Sequence, residues 1–148
     1  MQPERIGPLS YQVPYALCLL VCDSVSTDRD TGKPTIIGCF TSVSANQFPT
    51  VHPGLTIFAE LTDGRGEVPI TLRLCDVDEE WTLYETAATI PMDDPLVIGR
   101  VVHKISMVQF PKPGEYRVQL FAGDDLLLER RVMLIQIEGD HERLEPDE

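Results

Sequence analysis

The sequence is poor in basic residues. It contains 12 Lys and Arg against 24 Asp and Glu, so its formal net charge is −12 over 148 residues. Proteins that bind nucleic acid or anionic membrane surfaces need Lys and Arg to replace the counterions of the phosphates. The shortage of basic residues therefore argues against nucleic acid and membrane partners. We expect a protein partner instead, with self-association as a further outcome.

Long apolar runs are also lacking, and no stretch is long enough to span a bilayer as a helix. The main apolar run is Tyr15–Cys22, which also resembles the core of a secretion signal or a lipoprotein box. Asp23 follows this run at once, and Val21 is larger than the residue that a lipoprotein box places before its cysteine. A buried central strand explains the same run, so we expect a cytoplasmic protein.

Cysteines with metal-binding spacing are absent. Cys18, Cys22, Cys39 and Cys75 form no CxxC pair, and the three histidines are scattered, so the sequence predicts no metal and no cofactor. Cys22 and Cys39 fall opposite each other if their segments pair across a turn near Asp30–Thr31. They then either form a disulfide in an oxidising compartment or stay buried thiols, and the thiol form fits a cytoplasmic protein.

The sequence does contain short alternating runs of β-type residues that are separated by turns. We predict eight strands, over Tyr15–Ser24, Thr35–Val43, Leu55–Thr62, Val68–Val77, Thr82–Ile90, Val97–Val108, Tyr116–Ala122 and Leu126–Ile137.

This spacing, without an amphipathic helix, predicts an all-β, antiparallel immunoglobulin-like β-sandwich of about eight strands. The first two strands form an added N-terminal β-hairpin, and the last six form the sheet pair. The domain spans residues 15–137, between an N-terminal arm (1–14) and an acidic C-terminal tail (138–148).

Two local features refine this prediction. Tyr116 follows a glycine at the start of a strand that enters a hairpin, which predicts a tyrosine corner with its hydroxyl bonded to nearby backbone. In the last strand the apolar residues change parity between Leu128 and Met133. A β-bulge near Glu129–Arg131 would reconcile the two parities.

Four side chains predict a partner-binding surface. The strands that carry Arg73, Arg117 and Arg131 belong to one sheet of the predicted sandwich, and strand parity sends Arg73 and Arg117 away from the core. Phe121 lies on the same face as Arg117. Arginine and aromatic residues are enriched at protein interfaces, so we predict that this face binds a protein.

Each polar candidate has a simpler alternative. The arginines can pair across strands with Glu115 and Glu129 on an ordinary solvated face. His103 shares its parity with apolar residues of its strand, so it is either a ligand or pH switch, or a histidine at the core edge with a satisfied hydrogen bond.

The segment DRDTGK (residues 28–33) partly resembles several catalytic and binding loops. Its Asp-Thr-Gly, centred on Asp30, resembles the motif of aspartic proteases. That chemistry needs two carboxylates sharing a proton in a desolvated site, so the aspartate must follow a buried strand. Here Asp28 and Arg29 precede it, and a hairpin loop with Asp and Gly in turn positions is the alternative. We therefore expect no catalytic residues.

The segment CDSVSTDRDTGKPTIIGCF (22–40), Phe48-Pro49 and FPKPGEYR (110–117) together resemble a family of small bacterial proteins of unknown function. Its members begin with a CDxxxxDxxTGKxxxxGxF-like segment and end with a PGxY β-hairpin, and the similarity covers about Tyr15 to Ile137. The resemblance implies a bacterial source and a β-sandwich, and it implies no activity.

Together these observations predict a non-enzymatic interaction or structural module with a protein partner. Two alternatives remain open. One is a small-ligand carrier with a pocket between the sheets near His103, and the other is an aspartic-protease-like enzyme that uses Asp30.

Overall fold

The computed structural model describes residues 10–78 and 80–138. The predicted acidic tail and most of the predicted N-terminal arm lie outside these residues. Within them the chain forms nine strands and no helix: β1 (Tyr15–Thr27), β2 (Pro34–Cys39), β3 (Ser42–Ala45), β4 (Thr50–Thr62), β5 (Gly66–Asp76), β6 (Thr82–Met92), β7 (Gly99–Phe110), β8 (Gly114–Ala122) and β9 (Asp125–Gln136).

The strands form two sheets that pack face to face. One sheet has four strands in the order β2-β1-β4-β7, and the other has five in the order β3-β9-β8-β5-β6. Neighbouring strands are antiparallel except for β3 and β9, which are parallel. The chain is thus an immunoglobulin-like β-sandwich, as the strand pattern predicted.

The core lies between the inner faces of the two sheets. Because successive side chains of a strand point to opposite faces, alternate residues of β5 and β8 enter it. They are Val68, Ile70, Leu72 and Leu74 on β5, and Tyr116, Val118, Leu120 and Ala122 on β8. Burial of a large apolar side chain of this kind stabilises a fold by roughly 1.5–3 kcal/mol, so these strands anchor the sandwich.

Tyr116 forms the predicted tyrosine corner. Its hydroxyl donates a hydrogen bond to the Lys112 carbonyl oxygen (2.6 Å) and accepts one from the Lys112 amide (3.3 Å). Its ring packs edge-on against Phe110, with centroids 5.0 Å apart. These contacts fix the turn that joins β7 to β8.

The predicted strand Thr35–Val43 is wrong in one respect, because it is two strands in different sheets. β2 ends at Cys39, and β3 begins at Ser42 and pairs with β9 of the other sheet. Gly38 has a φ of 69°, which turns the chain just before this crossing. The described residues therefore form nine strands rather than eight.

The predicted bulge near Glu129–Arg131 is also misplaced. The register shifts earlier, because Leu120 faces Leu128 whereas Phe121 faces Leu126, which leaves Leu127 as the extra residue. Val132 and Leu134 consequently enter the core, and Met133 and Ile135 lie on the outer face. Sequence parity could not locate the bulge because β9 carries apolar residues on both faces.

The N-terminal hairpin (residues 23–38) folds back over the four-stranded sheet. β1 is an inner strand, between β2 and β4, so the prediction that the last six strands alone form the sheet pair is wrong. The pairing of β1 with β4 ends at Cys22 opposite Thr56, and only the part of the predicted hairpin beyond this point is an addition to the sandwich. At the hairpin tip the Gly32 carbonyl oxygen accepts a hydrogen bond from Arg100 Nη1 on β7 (3.4 Å). Since β4 lies between β1 and β7, the hairpin crosses the outer face of this sheet. Phe58, on that face, is only 5% exposed.

Candidate functional site

The four residues predicted to bind a partner lie on the outer face of the five-stranded sheet. Arg73 is on β5, Arg117 and Phe121 are on β8, and Arg131 is on β9. Arg117 faces Arg131 across the β8–β9 pair. The structure therefore brings the predicted residues together on one surface.

Two of these arginines are engaged in ion pairs with glutamates of the same face. Glu115 Oε2 accepts hydrogen bonds from Arg117 (3.1 Å) and from Arg131 Nε (3.0 Å), and Glu129 Oε2 lies 3.0 Å from Arg117 Nη1. Partial burial raises the pKa of Glu115, but the two arginines outweigh it and hold that pKa below its usual value. These ion pairs are the pairing with Glu115 and Glu129 that the sequence offered as the alternative to a partner-binding surface.

The other two residues form a cation–π contact. The guanidinium carbon of Arg73 lies 5.5 Å from the centre of the Phe121 ring, and Arg73 Nε donates to Gln119 Oε1 (3.0 Å). Beside them is a shallow cavity of about 310 Å³, which is also lined by Thr71, Glu85, Gly123 and Asp124.

A second candidate surface, which we call the open side, lies between β6 and β7. These two strands are edge strands of opposite sheets, and a cleft of about 230 Å³ separates them. The buried side chains of Ile70 and Leu72 form its floor. The walls and rim consist of Thr86, Ala88, Ile90, Arg100, Val101, Val102 and His103. The cleft is therefore mainly apolar, with polar groups at its ends.

His103 bridges the open side. Its Nε2 lies 2.5 Å from the hydroxyl oxygen of Tyr84 on β6, and the two ring centroids are 5.6 Å apart. His103 thus has a hydrogen-bond partner, as the core-edge alternative requires. It also lies in a pocket between the sheets, as the ligand alternative requires.

β6 forms the more exposed border of the cleft. Its eleven residues contain one charged side chain, Glu85, a bulge at Leu83 near its start and one proline, Pro91, near its end. Charges, prolines and bulges protect exposed edge strands from pairing with another chain, and on β6 the bulge and the proline leave residues 84–90 between them with a single charge. Acidic residues lie beyond both ends of β6, with Glu80 before it and Asp93 and Asp94 after it. The open side is thus an apolar edge between acidic ends.

The Asp30 segment is a hairpin turn. Asp28 Oδ2 accepts hydrogen bonds from the amides of Thr31 (2.7 Å) and Asp30 (3.1 Å), and Gly32 adopts a φ of 73°. The hydrogen bonds from Thr31 lower the pKa of Asp28. Asp30 is exposed at the tip rather than placed after a buried strand, so its carboxylate lacks the desolvation that aspartic-protease chemistry needs.

Cys22 and Cys39 face each other in the β1–β2 pair, as predicted. Both are thiols, but only Cys22 is buried, whereas Cys39 is exposed. The prediction of two buried thiols is therefore wrong for Cys39, because β2 is an edge strand. In the described part of the chain, no three His, Cys, Asp or Glu side chains cluster as metal ligands would, and no helix is long and apolar enough to cross a membrane.

The sequence matches a known protein family over most of its length. Residues 17–135 fit the model of a family of unknown function, DUF6941. The chain belongs to the DUF6941 family. The expected membership of a family of unknown function is confirmed over this range, whereas the motif pattern and the bacterial source stay predictions. No curated protein matches this DUF6941 chain.

Several solved structures resemble the DUF6941 chain at low identity. A β-glucosidase from Listeria innocua in complex with glucose is 12% identical, with 66% of this chain and 15% of that chain covered and a TM-score of 0.42. An immunoglobulin-like protein from Pseudomonas aeruginosa is 18% identical, with 77% and 90% covered and a TM-score of 0.40. A β-glucuronidase from Bifidobacterium dentium is 11% identical, with 84% and 18% covered and a TM-score of 0.36. The DUF6941 chain thus spans about a fifth or less of the length of these glycosidases, and these similarities carry no information on its function.

Proposed function

We propose that this DUF6941 protein is a non-enzymatic, cytoplasmic interaction module that binds an extended segment of a partner protein along β6. The observation that carries the proposal is an edge strand whose residues 84–90, between the Leu83 bulge and Pro91, hold one charge and border an apolar cleft. Either feature alone is common, but together they match the requirements of strand addition.

An added strand would pair with the free edge of β6 at the usual strand spacing of about 4.8 Å. Its backbone would satisfy the outward amides and carbonyls of β6. Alternate side chains of the added strand would point towards the cleft and cover Ile70 and Leu72. Main-chain hydrogen bonds would supply affinity, and the size of the cleft would select the side chains.

Charge indicates the chemistry of the partner. The chain carries a net charge of −12, and Glu80, Asp93 and Asp94 flank β6. A segment that alternates apolar and polar residues and has Lys or Arg at its ends fits this surface. A second copy of the chain carries the same negative charge and fits it less well, so we propose a different protein as the partner.

The outer face with Arg73, Arg117, Phe121 and Arg131 remains a second proposed contact surface. Arg117 and Arg131 already bond to glutamates, so a partner would have to replace those ion pairs. Reversing the charge of Arg73 and Arg117 tests this face. Loss of partner binding at an unchanged melting temperature would support it, and retained binding would identify it as solvated surface.

Adjacent alanines of β6 provide a matched test of the open side. Ala88 lines the cleft, whereas Ala87 faces Thr71 on the opposite face of the sheet. A displayed library of random linear peptides is selected on the full chain. We expect enriched peptides to alternate apolar and polar residues with basic ends, and to slow amide hydrogen exchange along β6.

Ala88→Arg should abolish this binding, while Ala87→Arg should retain it, with both variants folded. Peptides that bind Ala88→Arg as well as the parent would contradict the use of the open side. Failure to enrich any peptide on the parent chain would contradict the proposed function itself.

A small apolar ligand is the second candidate function, and the cleft near His103 supports it. The cleft volume of about 230 Å³ is below the roughly 300–1,000 Å³ of common small-molecule sites. A short alkyl chain with one hydroxyl group, bonded to the Tyr84–His103 pair, fits it. In a titration with primary alcohols, the NMR signals of the His103 imidazole ring should shift at lower alcohol concentration as the alkyl chain of the alcohol lengthens. Signals that do not move at any chain length would exclude this carrier function.

A further inference from the structure

We propose that Cys22 and Cys39 form a thiol-oxidation site, in which a low-molecular-weight disulfide such as oxidised glutathione converts the pair into a reversible cross-strand disulfide. This inference is independent of the proposed function, because it concerns the opposite edge of the molecule from β6.

The local hydrogen bonding defines the type of pair that the two cysteines form. Cys22 and Cys39 are register partners, and the Phe40 amide donates to the Val21 carbonyl oxygen (3.0 Å). Val21 and Phe40 are therefore a hydrogen-bonded pair. Hydrogen-bonded and non-hydrogen-bonded pairs alternate along an antiparallel ladder, so the adjacent pair, Cys22 and Cys39, is non-hydrogen-bonded. Facing Cα atoms in such pairs lie about 4.5 Å apart, at the short end of the 4.4–6.8 Å range of disulfides.

The two thiols differ in exposure. Burial raises the pKa of Cys22 most, and the charge of the neighbouring Cys39 raises it further. Cys22 Sγ lies 3.5 Å from the carbonyl oxygens of Ser24 and Thr56, at the last β1–β4 pair. Cys39 is exposed. The pair therefore combines an accessible thiol with a buried neighbour that can resolve a mixed disulfide.

The reaction follows from this difference in exposure. The Cys39 thiolate attacks one sulfur of oxidised glutathione, which breaks the glutathione disulfide and releases one glutathione thiolate. Cys22 then loses its proton and attacks the Cys39 sulfur, which forms the Cys22–Cys39 bond and releases the second glutathione. One disulfide is broken, one is formed, and the two protons go to the released thiols. Glutathione thiolates reverse both steps.

The position of the pair gives the bond a structural effect. Cys22 is the last residue of β1 that pairs with β4, and the N-terminal hairpin begins after it. Gly38, next to Cys39, has a positive φ and is where the chain turns towards β3. A disulfide here would tie β2 to β1 at the root of the hairpin that crosses the outer face of the four-stranded sheet.

Peptide mapping tests the site directly. The full chain is incubated with mixtures of reduced and oxidised glutathione, blocked with an alkylating reagent and cut with trypsin without reduction. Cleavage after Arg29 separates the two cysteines into peptides 6–29 and 30–65. We expect these peptides to be joined in oxidised samples, at the summed mass of the two peptides with Cys18 alkylated, less two hydrogen atoms, and to separate when the protein is returned to reduced glutathione.

Four single Cys→Ser variants identify the linkage, with the melting temperature of each variant as a check on its fold. The joined peptides should persist in Cys18→Ser and Cys75→Ser and disappear in Cys22→Ser and Cys39→Ser. Cys39→Ser should also show no mixed disulfide with glutathione, whereas Cys22→Ser should accumulate one at Cys39. A parent chain in which only a mixed disulfide forms, or in which Cys18 is the linked residue, would overturn the inference.

Discussion

The Tyr116 hydroxyl closes the turn between β7 and β8 by bonding to both backbone groups of Lys112. Tyr116 is 1% exposed, so no water can replace the hydroxyl without rearrangement. A buried backbone group that loses its partner costs about 1–3 kcal/mol. The turn therefore depends on the hydroxyl oxygen as well as on the packing of the ring against Phe110.

Tyr116→Phe should lower the free energy of unfolding by about 1–3 kcal/mol, because it removes the hydroxyl and keeps the ring. Urea denaturation at a constant m-value measures the change. Tyr15→Phe is the matched control, because Tyr15 is 70% exposed, and it should leave stability unchanged. Equal stability of Tyr116→Phe and the parent would show that the corner contributes nothing.

Glu115 should make stability depend on pH in the acidic range. The hydrogen bonds from Arg117 and Arg131 outweigh the effect of burial, so the folded-state pKa lies below the unfolded value. The contribution of Glu115 to the free energy of unfolding is therefore present above the pKa of the unfolded state, and it is lost as the pH falls through the pKa of the folded state. Glu115→Gln should reduce the loss of stability between pH 7 and pH 3, measured by urea titration. Equal losses of stability in Glu115→Gln and the parent between these pH values would contradict this role of Glu115.

Among the elements, the N-terminal hairpin depends on two glycines in different surroundings. Gly32 and Gly38 both have positive φ values, 73° and 69°. A Cβ at Gly32 would meet nothing within 4 Å, whereas a Cβ at Gly38 would collide with the Asp23 carboxylate. Backbone strain is therefore common to the two positions, and crowding is confined to Gly38.

Gly32→Ala should destabilise the protein by about 1–2 kcal/mol through backbone strain alone. Gly38→Ala should cost more, because Asp23 must move. The double variant Asp23→Ala/Gly38→Ala, compared with Asp23→Ala, should restore a cost close to that of Gly32→Ala. Thermal unfolding of the four variants measures these differences, and equal costs at the two glycines in the presence of Asp23 would contradict the crowding.

The elements also show what the sequence could predict. β5 and β8 alternate strictly, so their existence and inner faces followed from the pattern of Val68 to Leu74 and of Tyr116 to Ala122. The break between β2 and β3 could not be predicted from the pattern. It depends on which sheet each segment joins, and residues 35–43 look uniformly strand-like. The bulge at Leu127 was misplaced for a related reason, since exposed apolar residues such as Ile135 imitate a core face.

Of the two candidate surfaces, one could be predicted from the sequence and the other could not. Strand parity placed Arg73, Arg117 and Phe121 on one face, because parity is a local property. The open side depends on β6 and β7 being edge strands of opposite sheets, which is a property of the strand order and leaves no mark within β6 itself. The position of His103 beside a cleft was anticipated, but its partner Tyr84 was not, because they lie on different sheets.

At the scale of the whole molecule, the net charge of −12 should make partner binding sensitive to salt. Attraction between an acidic surface and basic ends of a peptide is screened as the Debye length falls from about 10 Å at 0.1 M salt to about 3 Å at 1 M. The affinity of selected peptides should therefore fall between these salt concentrations, measured by fluorescence anisotropy. Variants of the peptides without Lys and Arg should bind more weakly at low salt and lose less affinity at high salt.

The parallel pairing of β3 with β9 affects how the domain resists mechanical force. β3 faces Met133 to Gln136 in register, and β9 is the last strand of the described residues. In a parallel pair, the start of one strand and the end of the other lie at opposite ends of the ladder. Force applied to these two points slides the strands past each other, so all the hydrogen bonds between them are loaded at once instead of opening one after another. An extension applied to the start of β3 and the end of β9 must therefore break this whole ladder before the sandwich can open.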